Sequence, residues 1–453
     1  MEQQLMKKLS FKNYGRALLA IICIGIFSTS GCAETASQSS NQGVGTNPTL
    51  PEPERDLIPT VKIAPAIGWP ADKTPVTVKG TQINAFAKDL DHPRWLYALP
   101  NGDLLVAETN APAKPDDKKG VKGWVMGLTM KRAGAAAPSA NRIKLLRDTN
   151  GDGIADYQTV FLENLNSPFG IALVGENLYV ANSDAVLRFN YRAGDSKITT
   201  PSHKIIDLPA GTINHHWTKN IIASRDGNQL YVTVGSNSNI AENGFEAESE
   251  RAAIWIVDIN KGTHRIFASG LRNPNGLAWE LTTGKLWTVV NERDELGNDL
   301  VPDYLTSVQE GGFYGWPYSY YGQHVDTRVK PQRPELVAKA ISPDYALGSH
   351  VAPLGLVSSV GNTLPPTFAN GMFIGEHGSW NRKPPSGYKV VFVPFVNGQA
   401  SGNPVDVVTG FLNEKGEAYG RPVGVTIDKT GALLVADDVG NIVWRVSKAV
   451  GAQ

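Results

Sequence analysis

Cysteine is almost absent from this chain. Two occur in 453 residues, Cys23 and Cys32, both near the N-terminus. A folded body without thiols has no disulfide, no cysteine nucleophile and no thiolate metal site. Net charge is missing too, with 43 basic against 43 acidic residues, so nucleic acid is not an expected partner. The apolar run at 17–27 is too short for a comfortable membrane span. Glycine (46) and proline (29) are plentiful by contrast. They cut the chain into many short apolar segments, the pattern of an all-β fold with frequent turns.

The first 32 residues read as an export signal. Lys7, Lys8, Lys12 and Arg16 precede the apolar run, and small residues follow, ending in Ser30-Gly31-Cys32. That ending resembles a bacterial lipobox, with Thr29 where leucine is usual. Cys32 is therefore expected to carry lipid and to become the first mature residue; the alternative is an ordinary secretory signal cleaved nearby. Ala33 after the cysteine suits sorting to the outer membrane. The protein is expected in the periplasm or at the cell surface, touching the membrane only through its anchor. Residues 33–58, rich in Ser, Gln, Asn, Thr and Pro, predict a flexible tether. A folded body is expected over 59–450.

Within that body one pattern recurs six times: a polar turn with Gly or Asn, then a short apolar run. The runs begin near Leu104, Leu178, Leu230, Leu286, Met372 and Leu433. A second signal precedes most copies: His92-Pro93-Arg94, Ser167-Pro168-Phe169-Gly170, Arg272-Asn273-Pro274-Asn275-Gly276, Ala352-Pro353-Leu354-Gly355 and Arg421-Pro422-Val423-Gly424. The third copy departs, with His216-Trp217-Thr218-Lys219-Asn220. Six tandem antiparallel units predict a six-bladed β-propeller, because one blade cannot bury both its faces while a closed ring can. The second signal would start the innermost strands. Arg94, His216, Arg272, Asn273, His350 and Arg421 would then converge at one mouth of the central channel. Two stretches exceed what blades need, 110–146 and 294–348, and are expected to cap that mouth.

Asp148, Asn150, Asp152 and Asp156, with Gly153 after the third donor, match the first half of an EF-hand calcium loop. Thr159 stands where the terminal glutamate belongs, so Glu163 is the candidate to complete the shell. A structural calcium between blades is expected there. The pair His215-His216 falls at a blade start. Adjacent strand residues face opposite ways, so one of the two can face the channel as a general base.

Residues 269–278 around Arg272-Asn273, the acidic turn 291–299 and Gly311-Gly312-Phe313-Tyr314-Gly315-Trp316-Pro317 come in an order that resembles the soluble PQQ-dependent glucose and sorbosone dehydrogenase family. Residues 375–382 and Arg421-Pro422-Val423-Gly424 look closest to its sorbosone dehydrogenase-like branch. The resemblance spans about 91–446. It implies PQQ and Ca²⁺ at the channel mouth and oxidation of a sugar or sugar aldehyde. It maps the base to His216, or His215 if the register shifts by one, and the quinone and substrate contacts to Arg272 and Asn273. Cationic clamps for the cofactor's carboxylates are offered by Arg272, Lys219, Arg382 and Arg421. The channel calcium maps to the turn holding Asn291 and Glu292. Electrons would leave to a cytochrome or quinone. Two other functions suit the same fold: a metal-dependent lactonase and a non-catalytic binding propeller.

Overall fold

Six antiparallel sheets stand in a ring, three built from four consecutive strands and three that also take up a strand from the N-terminal part of the chain. The structure, a computed structural model, describes residues 35–39, 42–54, 61–112, 132–134 and 137–449. The signal with Cys32, and Lys118, Lys119 and Trp124 of the first expected insertion, lie outside them. The innermost strands are Pro93–Ala98, Ile171–Val174, Ile221–Ala223, Asn273–Trp279, Pro353–Ser358 and Pro422–Ile427. Each begins at, or within four residues of, the second sequence signal. The six apolar runs become the second strands, such as Leu104–Glu108 and Leu433–Asp437. Ring closure joins the two ends of the chain. Thr81–Ala87 is the outer strand of the sixth blade, antiparallel to Ile442–Lys448.

The packing explains the count of six. The buried apolar residues form six clusters, and each is one blade–blade interface. Trp95, Phe161, Phe169 and Val180 join the first blade to the second; Ile256, Phe267, Leu277 and Tyr304 join the third to the fourth; Leu96, Leu146, Leu434 and Val443 close the sixth on the first. Truncating one such side chain, for example the fully buried Trp287 between the fourth and fifth blades, should cost about 3–5 kcal/mol. Toward the axis the inner strands nearly touch. A Cβ on Gly424 would lie 2.6 Å from the carbonyl oxygen of Arg94 across the ring closure, which is why the signal carries glycine there.

Two expectations need correction. The tether is docked rather than free: Val44–Gly45 adds a fifth strand to the fourth blade beside Tyr345–Ser349, and Leu50 packs on that blade's core. Backbone pairing and apolar contact outweigh the polar composition. The calcium-like loop sits inside the first blade, in the hairpin between Arg142–Arg147 and Tyr157–Leu162, not between blades. It is bonded across the ring closure instead, through Asn84 Nδ2 to the Gly153 carbonyl (2.8 Å) and Ala155 N to the Phe86 carbonyl (2.7 Å).

Candidate active site

Each inner strand starts, and each second strand ends, at the same end of the ring. Residues flanking those points share one mouth. Two polar groups stand there.

The first belongs to the third and fourth blades. His216 precedes the third inner strand, and its Nδ1 lies 2.9 Å from both the carbonyl oxygen and the hydroxyl of Ser236. A carbonyl only accepts, so Nδ1 carries the proton and Nε2 the lone pair. Burial, reinforced by Arg272, pulls the imidazole well below its ordinary pKa, so the ring is neutral at neutral pH. His215 next to it is exposed. Gly235 makes room for the group: a Cβ there would stand 2.5 Å from both His216 Cβ and Asn273 Oδ1. Arg272 donates to the carbonyls of Glu292 (2.6 Å) and Asn291 (3.4 Å) and pairs with Asp294 at 3.1 Å. Asp294 is held from the fifth blade by Asn381 Nδ2 at 2.8 Å. Asp303 sets this turn, accepting from the Glu292 and Ala352 amides at 2.7 and 2.8 Å.

The second group centres on Asp438 of the sixth blade. Its Oδ2 accepts from Arg94 at 2.6 Å and meets His377 Nε2 at 2.9 Å, with His92 Nε2 at 3.6 Å. Burial alone would raise this carboxyl, but His377, His92 and Arg94 hold it well below the carboxylate range. His377 is pulled down to about 4, mainly by burial. Arg94 lies over the Trp217 ring at 5.9 Å, and Arg421 over Tyr388 at 5.2 Å.

Several buried polar atoms of these two groups have no hydrogen-bond partner among the described residues: Arg94 Nε, Arg421 Nε, His92 Nε2, Asn273 Oδ1 and Glu292 Oε1. Orphaned buried polar atoms are costly. Such atoms in a cation-lined mouth suit a polyanionic ligand. The carbonyls of Asn291 and Glu292 are taken by the Arg272 guanidinium, so another cation could use them only by displacing it.

The structure thus brings His216, Arg272 and Asn273 together, and sets Arg421 with Arg94. It removes two expected clamps. Arg382 is buried with its guanidinium spent on the carbonyls of Asn298, Pro384 and Gln38 and on Asp299 (3.0 Å). Lys219 is fully buried beneath the base, its ammonium on the carbonyls of His216 and Trp217 at 3.2 and 3.3 Å. In the calcium-like loop, Asp148 accepts from the Gly151 and Gly153 amides, Asn150 from Asp152 N, Asp152 from Ile154 N and Asp156 from Thr149 N. Glu163 pairs instead with Lys197. Among the described residues no three acidic or imidazole side chains stand together as a metal cage. The insertion around Gly311–Pro317 does reach the mouth, where Trp316 Nε1 donates to the Asn239 carbonyl at 2.9 Å. The sequence points to no role for Ser236, His377 or Asp438, whose contacts, Ser236 with His216 and Asp438 with His377 and Arg94, form only in the fold.

A family model described as TrAA12-like matches residues 139–310 and 330–449. An uncharacterised protein of Borreliella burgdorferi is 28% identical over 294 residues, covering 63% of this chain and 76% of its own length. A pyrroloquinoline quinone-dependent pyranose dehydrogenase of Coprinopsis cinerea is 24% identical over 398 residues, covering 72% of this chain and 53% of its own, so this chain matches about half of that protein. The solved holo form of the Coprinopsis cinerea pyranose dehydrogenase PQQ domain superposes with a TM-score of 0.67 at 19% identity, covering 85% of this chain and all of the domain. A Trichoderma reesei carbohydrate-active enzyme of family AA12 superposes with 0.66 at 20% identity, covering 86% of this chain and 99% of its own.

Proposed function

We infer the activity from the premise that this chain belongs to the TrAA12-like family. The reading is a PQQ- and calcium-dependent dehydrogenase that oxidises an aldose in its pyranose form. One observation carries it: a neutral, desolvated imidazole at His216 stands in a mouth lined by Arg272, Arg94 and Arg421 with unpartnered polar atoms. The relative named for pyranose oxidation supports the same substrate class.

Arg94 and Arg421 would hold carboxylates of the cofactor. Arg272 and Asn273 would flank its quinone oxygens. The carbonyls of Asn291 and Glu292 would hold calcium once Arg272, which now donates to both, turns its Nη1 from them toward the quinone. Bound there, PQQ would supply a two-electron sink for the sugar's hydride, with calcium as the neighbouring Lewis acid. His216 Nε2 takes the proton of the anomeric hydroxyl. Ser236 fixes the tautomer that leaves Nε2 basic. Asp294 and Asn239 fix the Arg272 fork, by its Nη2 at 3.1 and 2.9 Å. A buried Arg272 then stabilises negative charge as it develops beside it.

Export with a lipid on Cys32 belongs to the same proposal, with a cytochrome or quinone as electron acceptor. The test is to load the protein with PQQ and Ca²⁺ and offer pyranoses alongside a sorbosone-type aldehyde. The expected result is a shift in PQQ absorbance on binding and dye reduction with pyranoses. Lactone hydrolysis without dye reduction would replace this reading with the lactonase one. The absence of both activities would leave a binding propeller.

A further inference from the structure

The N-terminal segment does more than trail from the body. Ala36 N donates to the Lys383 carbonyl at 2.7 Å. Ser37, through both N and Oγ, and Gln38 N bond Asp299 Oδ2 at 2.6, 2.8 and 2.9 Å. Arg382 closes the clasp by holding the Gln38 carbonyl at 2.7 Å and Asp299 at 3.0 Å. Farther on, Glu54 N donates to the Leu296 carbonyl. These partners belong to the rim of the channel mouth. Asp299 and Leu296 lie in the loop that begins with Asp294, the partner of Arg272. Arg382 follows Asn381, which holds Asp294.

We propose that this clasp turns the channel mouth toward a lipid surface, so that the anchored protein opens its site beside the membrane headgroups. The inference rests on the Cys32 anchor put forward above. Ala36 is four residue steps beyond Cys32, and a chain spans at most about 3.6 Å per residue, so the clasped rim lies within about 14 Å of the acylated residue. The opposite end of the ring is farther by the length of a blade strand, about 20 Å for six residues. A true tether of 33–58 would reach several times farther and would leave the orientation free. A clasped rim does not. An electron acceptor held in or on the membrane would then meet the mouth directly.

The chain makes the test clean, because its two cysteines are Cys23, in the signal, and the acylated Cys32. A thiol introduced at exposed Lys383, on the rim, or at exposed Glu176, in the opposite-end turn of the second blade, is unique in the mature protein. Full-length Lys383→Cys and Glu176→Cys proteins, carrying a donor dye, are reconstituted into phosphatidylethanolamine–phosphatidylglycerol vesicles with an acceptor-labelled lipid. The expected result is severalfold greater energy transfer from position 383 than from 176. Opening the clasp with Arg382→Ala should lower transfer from 383 while the protein still floats with the vesicles. Equal or reversed transfer in floating protein, or no effect of Arg382→Ala, overturns the orientation and leaves the anchor standing. Failure of the wild-type protein to float overturns both, independently of whether it oxidises sugars.

Discussion

His216 Nδ1 sits 2.9 Å from the Ser236 carbonyl oxygen, and this contact decides the protonation of the whole ring. The proton must lie on Nδ1, leaving Nε2 as a base without any carboxylate partner. Burial and the nearby Arg272 hold the ring well below the usual imidazole pKa. The acid limb of kcat/KM for sugar oxidation is therefore expected below pH 6.5. Arg272→Ala removes one of those causes and should move the limb upward, as well as lowering the rate. A limb at or above 6.5 in the wild type, unmoved by Arg272→Ala, would contradict this.

Gly235 is the spacer between His216 and Asn273. Gly235→Ala puts a methyl group 2.5 Å from each, and a displacement near 1 Å at a reacting group costs about a hundredfold in rate. A loss of that order in kcat, with circular dichroism unchanged, is the expected outcome. Full activity would mean that the two groups need not be this close.

The fold was legible because propeller physics writes itself into local sequence. Turn residues and apolar runs mark the second strands, and the Pro-x-Gly signals mark where inner strands approach the axis. The placement of His216, Arg272, Asn273 and Arg421 at the mouth was legible for the same reason, as they flank those signals. Arg382 misled because a lone arginine in a motif looks the same whether it faces a ligand or, as here, carbonyls and Asp299. Lys219 misled likewise: one residue before Asn220 its side chain turns under the strand start. The docking of residues 35–39 and 42–54 was hidden by their polar composition, since most of their bonds to the body run through backbone and polar groups.

Asp148 accepts two backbone amides in the hairpin that latches the ring closure. Asp148→Ala should lower stability even in chelator, by about 1–3 kcal/mol for the amides left without their acceptor. Thermal melts in chelator check this, and an unchanged Tm would show that the turn holds without Asp148. Sugar oxidation should survive in the folded variant, because this hairpin lies at the end of the ring opposite the mouth.

Glu376 is buried on the second strand of the fifth blade, beside a cavity of about 760 Å³ that Lys389 and Asp406 also line. Burial pushes its carboxyl up to about 8. A raised acid favours the protonated fold, so its contribution is full below the unfolded pKa and lost as pH rises through about 8. Asp303, also near 8, and Asp437, near 6, push stability the same way. Glu376→Gln keeps the neutral shape and should flatten the fall of Tm between pH 5 and pH 9 (roughly the span from the ordinary carboxylate range to above 8). An unchanged slope would show that Glu376 is ionised in the fold.

The most direct measurement compares His216→Ala with His215→Ala, each loaded with PQQ and Ca²⁺, for cofactor affinity and for dye reduction with a pyranose. His216→Ala should bind PQQ nearly as the wild type does, because the cationic side chains stay in place, and should lose about a hundred- to ten-thousand-fold in kcat. His215→Ala, altered only at an exposed side chain, should stay close to wild type. An active His216→Ala variant, or an inactive His215→Ala beside it, would contradict the assignment of His216 as the base.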